Sequence, residues 1–180
     1  MKRMVNLGDK TLLGTSGDMS DFQHITRLLH QYHVTEQCHD DGHSMTPRQW
    51  FTALAAVLYK RRTDGNPLWT GNVLAGFEPQ SGELFLGSCD LLGTQFESDS
   101  IATGFGSHLA QPLLREALDQ AKAREQPLSE AEAVALIERC MRVLYYRDAR
   151  SLDKIQIAKV TRAGVTISEP YIIDSDWSIA

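Results

Sequence analysis

Two short segments carry the side chains best suited to chemistry, and the first is CHDDGH at Cys38–His43. It places one thiol, two imidazoles and two carboxylates side by side, and these are the groups that bind metals. Zinc sites normally draw their ligands from two separated clusters, and no second Cys or His pair accompanies this one. We therefore interpret the segment as a solvated interhelical loop and predict no metal and no other cofactor. A metal-binding protein that uses this loop is an alternative, which metal analysis of the purified protein would test.

The second segment is RDARS at Arg147–Ser151, in which Ser151 follows Asp148 by three residues. A serine becomes a nucleophile only when a base lies within reach. The histidines lie mostly in the first predicted helix and its loop, and no spacing of serine, histidine and carboxylate identifies a triad. The G-x-S-x-G turn of hydrolases is also absent, because Ser107 in GFGSH stands in the wrong position.

Composition indicates an ordinary soluble chain. Its 180 residues suit a single domain, 1–180, and the formal net charge of -5 with scattered basic residues disfavours nucleic-acid binding. No apolar stretch approaches the roughly 18 residues of a membrane span. The three widely separated cysteines and the lack of a signal-like apolar centre at the start favour a reducing compartment. We expect the protein in the cytoplasm and nucleus.

Helices and strands are predicted from caps and periodicity. A strand, TLLGTSG at Thr11–Gly17, precedes a helix that Asp18 caps and that runs to about Cys38, with Phe22, Ile25, Leu29 and Tyr32 on one face. A second helix begins at Thr46 and Pro47, with Gln49 three residues after the cap. Its apolar stripe consists of Trp50, Leu54, Val57 and Leu58, and its basic end of Lys60, Arg61 and Arg62.

The remaining chain alternates sheet with helix. Three short apolar runs between Pro67 and Thr103, the last being ESDSIATG, predict strands, and the turn EPQSG predicts an antiparallel hairpin. Two helices follow, GSHLAQPLLREALDQAKA and LSEAEAVALIERCMRVLYYR, the second with a capping box of Ser129 and Glu132. KIQIAKVT and GVTISEP then predict a last hairpin around RAG. The fold class is α+β, with helix layers packed on antiparallel sheet.

Four blocks of the chain together resemble the β-type subunits of the eukaryotic proteasome core particle: GTSGDMSDFQHI, NPLWTGNVLAGF, IATGFGSHLAQPLLRE and ERCMRVLYYRDARS. The resemblance extends from Thr11 to about Ala180. It implies a four-layer αββα sandwich of the amino-terminal nucleophile hydrolase type. The family fold begins well before Met1, so the resemblance also implies an amino-terminally truncated domain that lacks the first two strands, with a carboxyl-terminal tail at 169–180.

Active members of that family use an amino-terminal threonine whose own amine is the base. An Asp and a Ser three residues later support it, and these match Asp148 and Ser151. The threonine and its assisting lysine have no matching positions here, and Phe105 replaces the first serine of the active G-S-G turn. Gly14-Thr15 is the pair that active relatives cut, but it lies inside a predicted strand.

The members that this chain resembles most are inactive. The resemblance therefore implies a non-catalytic structural subunit of the β ring, which supports assembly and ATP- and ubiquitin-dependent degradation by the complex. The alternative is a threonine-type peptidase whose catalytic amino terminus is missing from this sequence.

The resemblance also implies the partners. These are proteasome α and β subunits in the same β ring, the adjacent α ring and the opposite β ring, with no nucleic acid and no membrane. Tyr145, Tyr146 and Arg147 end the last helix, which the family places at the junction of the two β rings. Aromatic and arginine side chains often dominate interface energies. Trp177, near the chain end, is predicted to anchor in a pocket of a partner.

Overall fold

The protein is described by a computed structural model that covers residues 2–42 and 44–179, without the side chain of residue 179. By their contacts these residues form two compact units. Unit 1 comprises the residues up to Ile101 together with Ala158–Thr166, and unit 2 comprises Ala102–Ile157 and the residues from Ile167 onward. The single domain over 1–180 stays a prediction. Within the described ranges no helix is both long and apolar enough to span a membrane.

Unit 1 is built on a five-stranded antiparallel sheet whose strands follow chain order. Buried and half-buried residues alternate along its central strands, so every second side chain faces the core. The predicted strand at Thr11–Gly17 and the hairpin around EPQSG are confirmed. The five strands are β1 Met4–Leu7, β2 Thr11–Gly17, β3 Thr70–Phe77, β4 Leu84–Cys89 and β5 Gln95–Glu97.

The predicted strand in ESDSIATG is wrong, because β5 already ends at Glu97. The cause lies upstream, where the Asp90 carboxylate accepts hydrogen bonds from the backbone N–H groups of Leu92 and Thr94, both at 2.9 Å. This side-chain turn reverses the chain early, so pairing with β4 begins at Gln95. The edge strand β1 was not predicted.

Two helices cover the core face of this sheet: α1, Met19–His39, and α2, Pro47–Thr63. The predicted caps are confirmed, since Asp18 accepts from the N–H groups of Ser20 and Asp21 and Thr46 forms a capping box with Gln49. The predicted basic end of α2 is confirmed as well. Trp50, Leu54 and Leu58 are buried, with Val57 packed against the core at its margin.

The predicted apolar face of α1 is only partly correct. Phe22, Ile25 and Leu29 are buried, but Tyr32 is 41% exposed. The inward position is taken one residue later by His33, whose ring contacts that of Trp50 with a centroid distance of 6.1 Å. A step of four residues from Leu29 keeps the side chain on the same face as well as a step of three does.

Unit 2 contains α3, Gly106–Ala123, and α4, Glu130–Arg147, which pack against each other around Ala110, Leu114 and Cys140. The predicted capping box of Ser129 and Glu132 is confirmed at the start of α4. Two short strands, β6 Lys154–Ile155 and β9 Tyr171–Ile172, pair antiparallel, and a single 3-10 turn forms at Trp177–Ile179. These elements fix the segments that flank the end of α4.

The predicted hairpin around RAG is confirmed as β7, Ala158–Thr161, and β8, Gly164–Ile167, which form a two-stranded sheet. KIQIAKVT is not one continuous strand, however. It breaks at Ile157, whose N–H donates to the Ser168 hydroxyl at 3.0 Å and not to a neighbouring strand. The α+β class is therefore confirmed.

Candidate functional site

The segment RDARS lies where α4 ends, and Asp148 is the residue that ends it. Its extended backbone, with φ -110° and ψ 107°, leaves the helix after its N–H has donated to the Leu144 carbonyl at 2.8 Å. The Asp148 carboxylate then accepts from the backbone N–H of Arg150 at 3.0 Å. The Asp148 side chain therefore has a structural use in the turn that ends α4.

Ser151 closes the same turn. Its N–H donates to the Asp148 carbonyl at 3.0 Å, and its hydroxyl approaches the same oxygen at 2.6 Å. The hydroxyl also lies 3.4 Å from the carbonyls of Leu144 and Tyr145. A carbonyl oxygen accepts a hydrogen bond but cannot take the proton as a general base. Asp148 and Ser151, the two residues that match supporting positions of active relatives, therefore lie together in the turn that ends α4.

The turn before α3 is the second segment that resembles part of the active site in active relatives. Gly104 adopts φ +60°, and Phe105 occupies the N-cap position without any side-chain cap, 65% exposed. The Ser107 hydroxyl donates back to the Gly104 carbonyl at 2.7 Å. A phenyl ring offers neither a proton nor a lone pair, so Phe105 cannot do what a serine could do there.

The Gly14-Thr15 pair lies in the interior of β2, as predicted. Gly14 is paired with Met4 on one side and with Val73 on the other. The Thr15 side chain is buried, and its hydroxyl donates to Asn72 Oδ1 at 3.0 Å. A peptide bond held in a sheet on both sides, with its threonine hydroxyl already bonded, is a poor site for self-cleavage.

Three of the four predicted interface residues form one aromatic cluster. The ring of Trp177 packs edge-on against Tyr145 and Tyr146, with centroid distances of 5.6 and 5.0 Å. Arg147, by contrast, is exposed at the end of α4. Whether these residues contact another subunit stays a prediction. The structure shows that the tail segment returns to the helix that carries the tyrosines.

Sequence reasoning missed the other residues that hold this segment. Arg142 donates from Nε to the Asp174 carbonyl at 2.7 Å. The Tyr171 hydroxyl bonds to Glu138 at 2.7 Å, and burial, this hydrogen bond and the carboxylate charge together raise the pKa of Tyr171 to about 12. Glu138 and Arg142 stand four residues apart on α4, so they share a face of the helix. The four-residue spacing of Glu138 and Arg142 was the sequence signal that could have identified this face.

The segment CHDDGH begins in the last turn of α1, which contains Cys38 and His39, and residues 40–42 follow the helix. Cys38 is exposed, and Asp40 ends the helix in a left-handed conformation with φ 47°. His43 lies outside the described residues, so the predicted absence of a metal site stays a prediction. Across residues 2–42 and 44–179, no group of three or more His, Cys, Asp or Glu side chains is arranged to hold a metal ion.

Comparison with known proteins places the chain in a family. A family model described as "Proteasome subunit" matches residues 1–160. The proteasome subunit beta type-4 of Xenopus laevis is 42% identical over 180 residues, which are 100% of this chain and 72% of the relative. The protein of the same name from Arabidopsis thaliana is 43% identical over 100% of this chain and 70% of its own length. The proteasome subunit beta type-7 of Saccharomyces cerevisiae is 37% identical over 187 aligned positions, covering 100% of this chain and 69% of the relative. The chain therefore belongs to the proteasome subunit family, as one of its β-type members.

Proposed function

We propose that this chain is a non-catalytic structural subunit of the β ring of the proteasome core particle. It supports assembly, and through assembly the ATP- and ubiquitin-dependent degradation of proteins by the complex. The observation that carries the proposal is the Asp148–Ser151 turn, in which the serine hydroxyl is directed at a carbonyl oxygen 2.6 Å away. We propose a four-layer αββα sandwich for the fold, in which the side chains that would support a nucleophile terminate a helix instead.

The exposed turn at Phe105 supports the same proposal, because the position that the resemblance assigns to a serine holds a phenyl ring without a hydrogen-bonding group. The proposed role is therefore structural. The chain holds a place in the ring and contributes contact surface, and the peptide bonds of substrates are cut by other subunits.

The partners in this proposal are proteasome α and β subunits of the same ring, the adjacent α ring and the opposite β ring. Exposed apolar side chains support this part, since Leu152 is 75% exposed, Phe105 65% and Trp177 54%. Phe105 and Trp177 are aromatic, and aromatic residues are enriched in the cores of protein–protein interfaces. We place the complex in the cytoplasm and nucleus.

Native affinity purification of the tagged chain tests the proposal. We expect to recover α and β subunits in equal amounts, in a barrel-sized particle. Recovery of the chain without proteasome subunits would contradict the structural role. A peptidase activity that is lost when only this chain is altered, in a fully assembled particle, would contradict its non-catalytic nature.

A further inference from the structure

An apolar groove of about 480 Å³ lies in unit 1, between strand β1 and the first turns of α1. It is broadly open to solvent on one side. Its apolar lining residues are Met4 and Val5 of β1 and Met19 and Phe22 of α1. Ligand sites usually measure about 300–1,000 Å³ and are lined mostly by apolar residues, so this feature is large enough for an apolar side chain of a partner. We refer to it as the β1 groove.

The strand that forms one wall of the β1 groove has an open edge. β1 is the outermost strand of the five-stranded sheet and pairs only with β2. The Arg3 carbonyl accepts from the N–H of Thr15 at 3.0 Å, and backbone groups alternate in direction along an antiparallel strand. The N–H and C=O groups of Met4 and Asn6 therefore point away from β2, where no described residue pairs with them. Such an edge is a template for another extended chain.

The charges of the β1 groove select the chemistry of its partner. Lys2 and Arg27 complete its lining, which includes no carboxylate and so carries a net charge of +2. Both side chains are charged at neutral pH, and neither forms an ion pair within residues 2–42 and 44–179. The Arg27 Nε bonds the Gln23 carbonyl at 3.3 Å, which leaves the terminal N–H groups of the guanidinium available to a ligand. A carboxylate is the group that these two cations favour.

The same charges argue against a second copy of this chain as the occupant. Pairing of two β1 edges would add the cations of the second groove to those of the first, with no lining carboxylate in either groove to offset them. Like charges brought together across paired strands are destabilising. An extended segment with an apolar side chain and acidic residues, by contrast, fits the open edge, the apolar walls and the cations together.

We propose that the β1 groove docks an extended segment of a neighbouring proteasome subunit. The segment pairs with the outward groups of Met4 and Asn6, places one apolar side chain in the groove and presents carboxylates to Lys2 and Arg27. Side chains two residues apart share a face of an extended chain, so Glu-x-Leu-x-Glu is a pattern that fits. The identity of the partner as a proteasome subunit rests on the proposed function, whereas the chemistry of the groove does not.

The first test uses the full chain and a fluorescein-labelled peptide, Thr-Glu-Thr-Leu-Thr-Glu-Thr, with binding followed by fluorescence anisotropy. We expect saturable binding that is about tenfold weaker when both Glu residues of the peptide are replaced by Gln. Arg27→Gln in the chain should weaken binding about threefold, because a single exposed ion pair contributes little. Lys60→Gln, which removes an exposed cation outside the groove, should leave binding unchanged. Equal binding of the Glu and Gln peptides, or of Arg27→Gln and the wild type, would overturn the proposal.

Asn6→Pro tests the strand pairing, since it removes the outward N–H of an exposed residue without removing a bond to β2. We expect about fivefold weaker binding of the peptide, whereas Asn6→Ala keeps the N–H and should bind as the wild type does. In the wild-type chain, the amides of Met4 and Asn6 should exchange with solvent about tenfold more slowly in the complex, which NMR measures without any substitution. Unchanged exchange of both amides would show that the peptide does not pair with β1.

The last test uses the assembled particle. A photo-crosslinking p-benzoylphenylalanine replaces Gln23 in the groove lining, and mass spectrometry identifies the captured peptide. We expect a peptide of another proteasome subunit in which an acidic residue stands two positions from an apolar one. Capture of a peptide of this chain, capture of a peptide without an acidic residue, or no capture in an assembled particle would contradict the proposal. If the tagged chain recovers no proteasome subunits, the proposed function fails, and the peptide titration still decides the chemistry of the groove.

Discussion

The indole ring of Trp177 stands edge-on to the phenol ring of Tyr146, with centroids 5.0 Å apart and 76° between the ring planes. Next to it, the backbone N–H of Asp176 donates to the Tyr146 hydroxyl at 2.6 Å. The tail is thus attached to α4 by an aromatic contact and a hydrogen bond. Trp177 was predicted to need the pocket of a partner, yet it is already covered in part by its own chain, with 54% of its surface exposed.

Trp177→Ala should loosen this attachment. Two edge-to-face pairs are lost, each contributing about 0.5–1.5 kcal/mol beyond buried area, and we expect the amide of Asp176 to exchange with solvent about tenfold faster. Hydrogen exchange read by mass spectrometry over the tail peptide measures this. Leu152→Ala is the control, since that side chain is 75% exposed. Equal exchange in the wild type and in Trp177→Ala would show that the aromatic cluster does not hold the tail.

Arg147→Ala should impair the joining of half-particles. The side chain is exposed at the end of α4, and central arginines in interfaces are typically worth about 2 kcal/mol or more. We expect half-particles to accumulate on native gels. Arg150→Ala removes a second exposed cation three residues away and should have a smaller effect. Wild-type levels of half-particles in Arg147→Ala would count against a role at the ring junction.

Asp148→Ala should reduce the yield of assembled particles without changing their cleavage specificity. The substitution leaves the Arg150 N–H without its acceptor and weakens the turn that ends α4, at a cost of about 1 kcal/mol. Substrates for each peptidase class, assayed on equal amounts of purified particle, should be cut at wild-type rates. Asp148→Asn keeps an acceptor oxygen and should restore the yield. Selective loss of one activity would indicate a catalytic role.

Much of the helical structure could be predicted because its signals are local. Asp18, the Thr46–Gln49 pair and the Ser129–Glu132 pair bond to backbone within their own first turns. Their effect therefore does not depend on the rest of the fold. Asp148 and Ser151, by contrast, were singled out by the resemblance to active family members, and the turn that they form was not predicted.

Features that depend on distant partners were missed. β1 is stabilised by pairing with β2, and the start of β5 is set by the Asp90 turn and by β4. Tyr171 and Glu138 are 33 residues apart in sequence, so neither identifies the other. The periodicity of α1 allows either Tyr32 or His33 as the inward residue, and the choice of His33 depends on the distant residues Trp50 and Gly8.

Asn72→Ala should destabilise unit 1 by about 2 kcal/mol or more, because it removes two buried side-chain hydrogen bonds, one to Thr15 and one to Thr70. Asn72 is 1% exposed, accepts from the Thr15 hydroxyl and donates to Thr70 Oγ1, both at 3.0 Å. We expect a lower urea midpoint for proteolytic cleavage of the chain. Ser16→Ala, which removes a longer 3.3 Å bond at a half-buried position, should cost about 0.5 kcal/mol. Equal midpoints for the two variants would show that the network adds nothing.

The three cysteines should differ sharply in reactivity, because the thiolate is the reactive form and only Cys38 is exposed. Burial, with a smaller effect from the Asp90 charge, raises the pKa of Cys89 from its ordinary value of 9.0 to about 12, and burial also raises the pKa of Cys140. In iodoacetamide at pH 9 we expect rapid labelling of Cys38 and slow labelling of Cys89 and Cys140, measured by peptide mass spectrometry. In urea, where the chain is unfolded, the three labelling rates should be equal.

The same shift makes stability depend on pH. Between pH 9 and about 12 the unfolded chain loses the Cys89 proton while the folded chain keeps it, so the unfolded state binds fewer protons and the free energy of unfolding falls as the pH rises. Cys89→Ala lacks this titration and should lose less stability over that range than the wild type, in urea unfolding at pH 8 and pH 10. Labelling of native Cys89 as fast as Cys38, or identical pH dependence of the two proteins, would mean that the thiol is open to solvent.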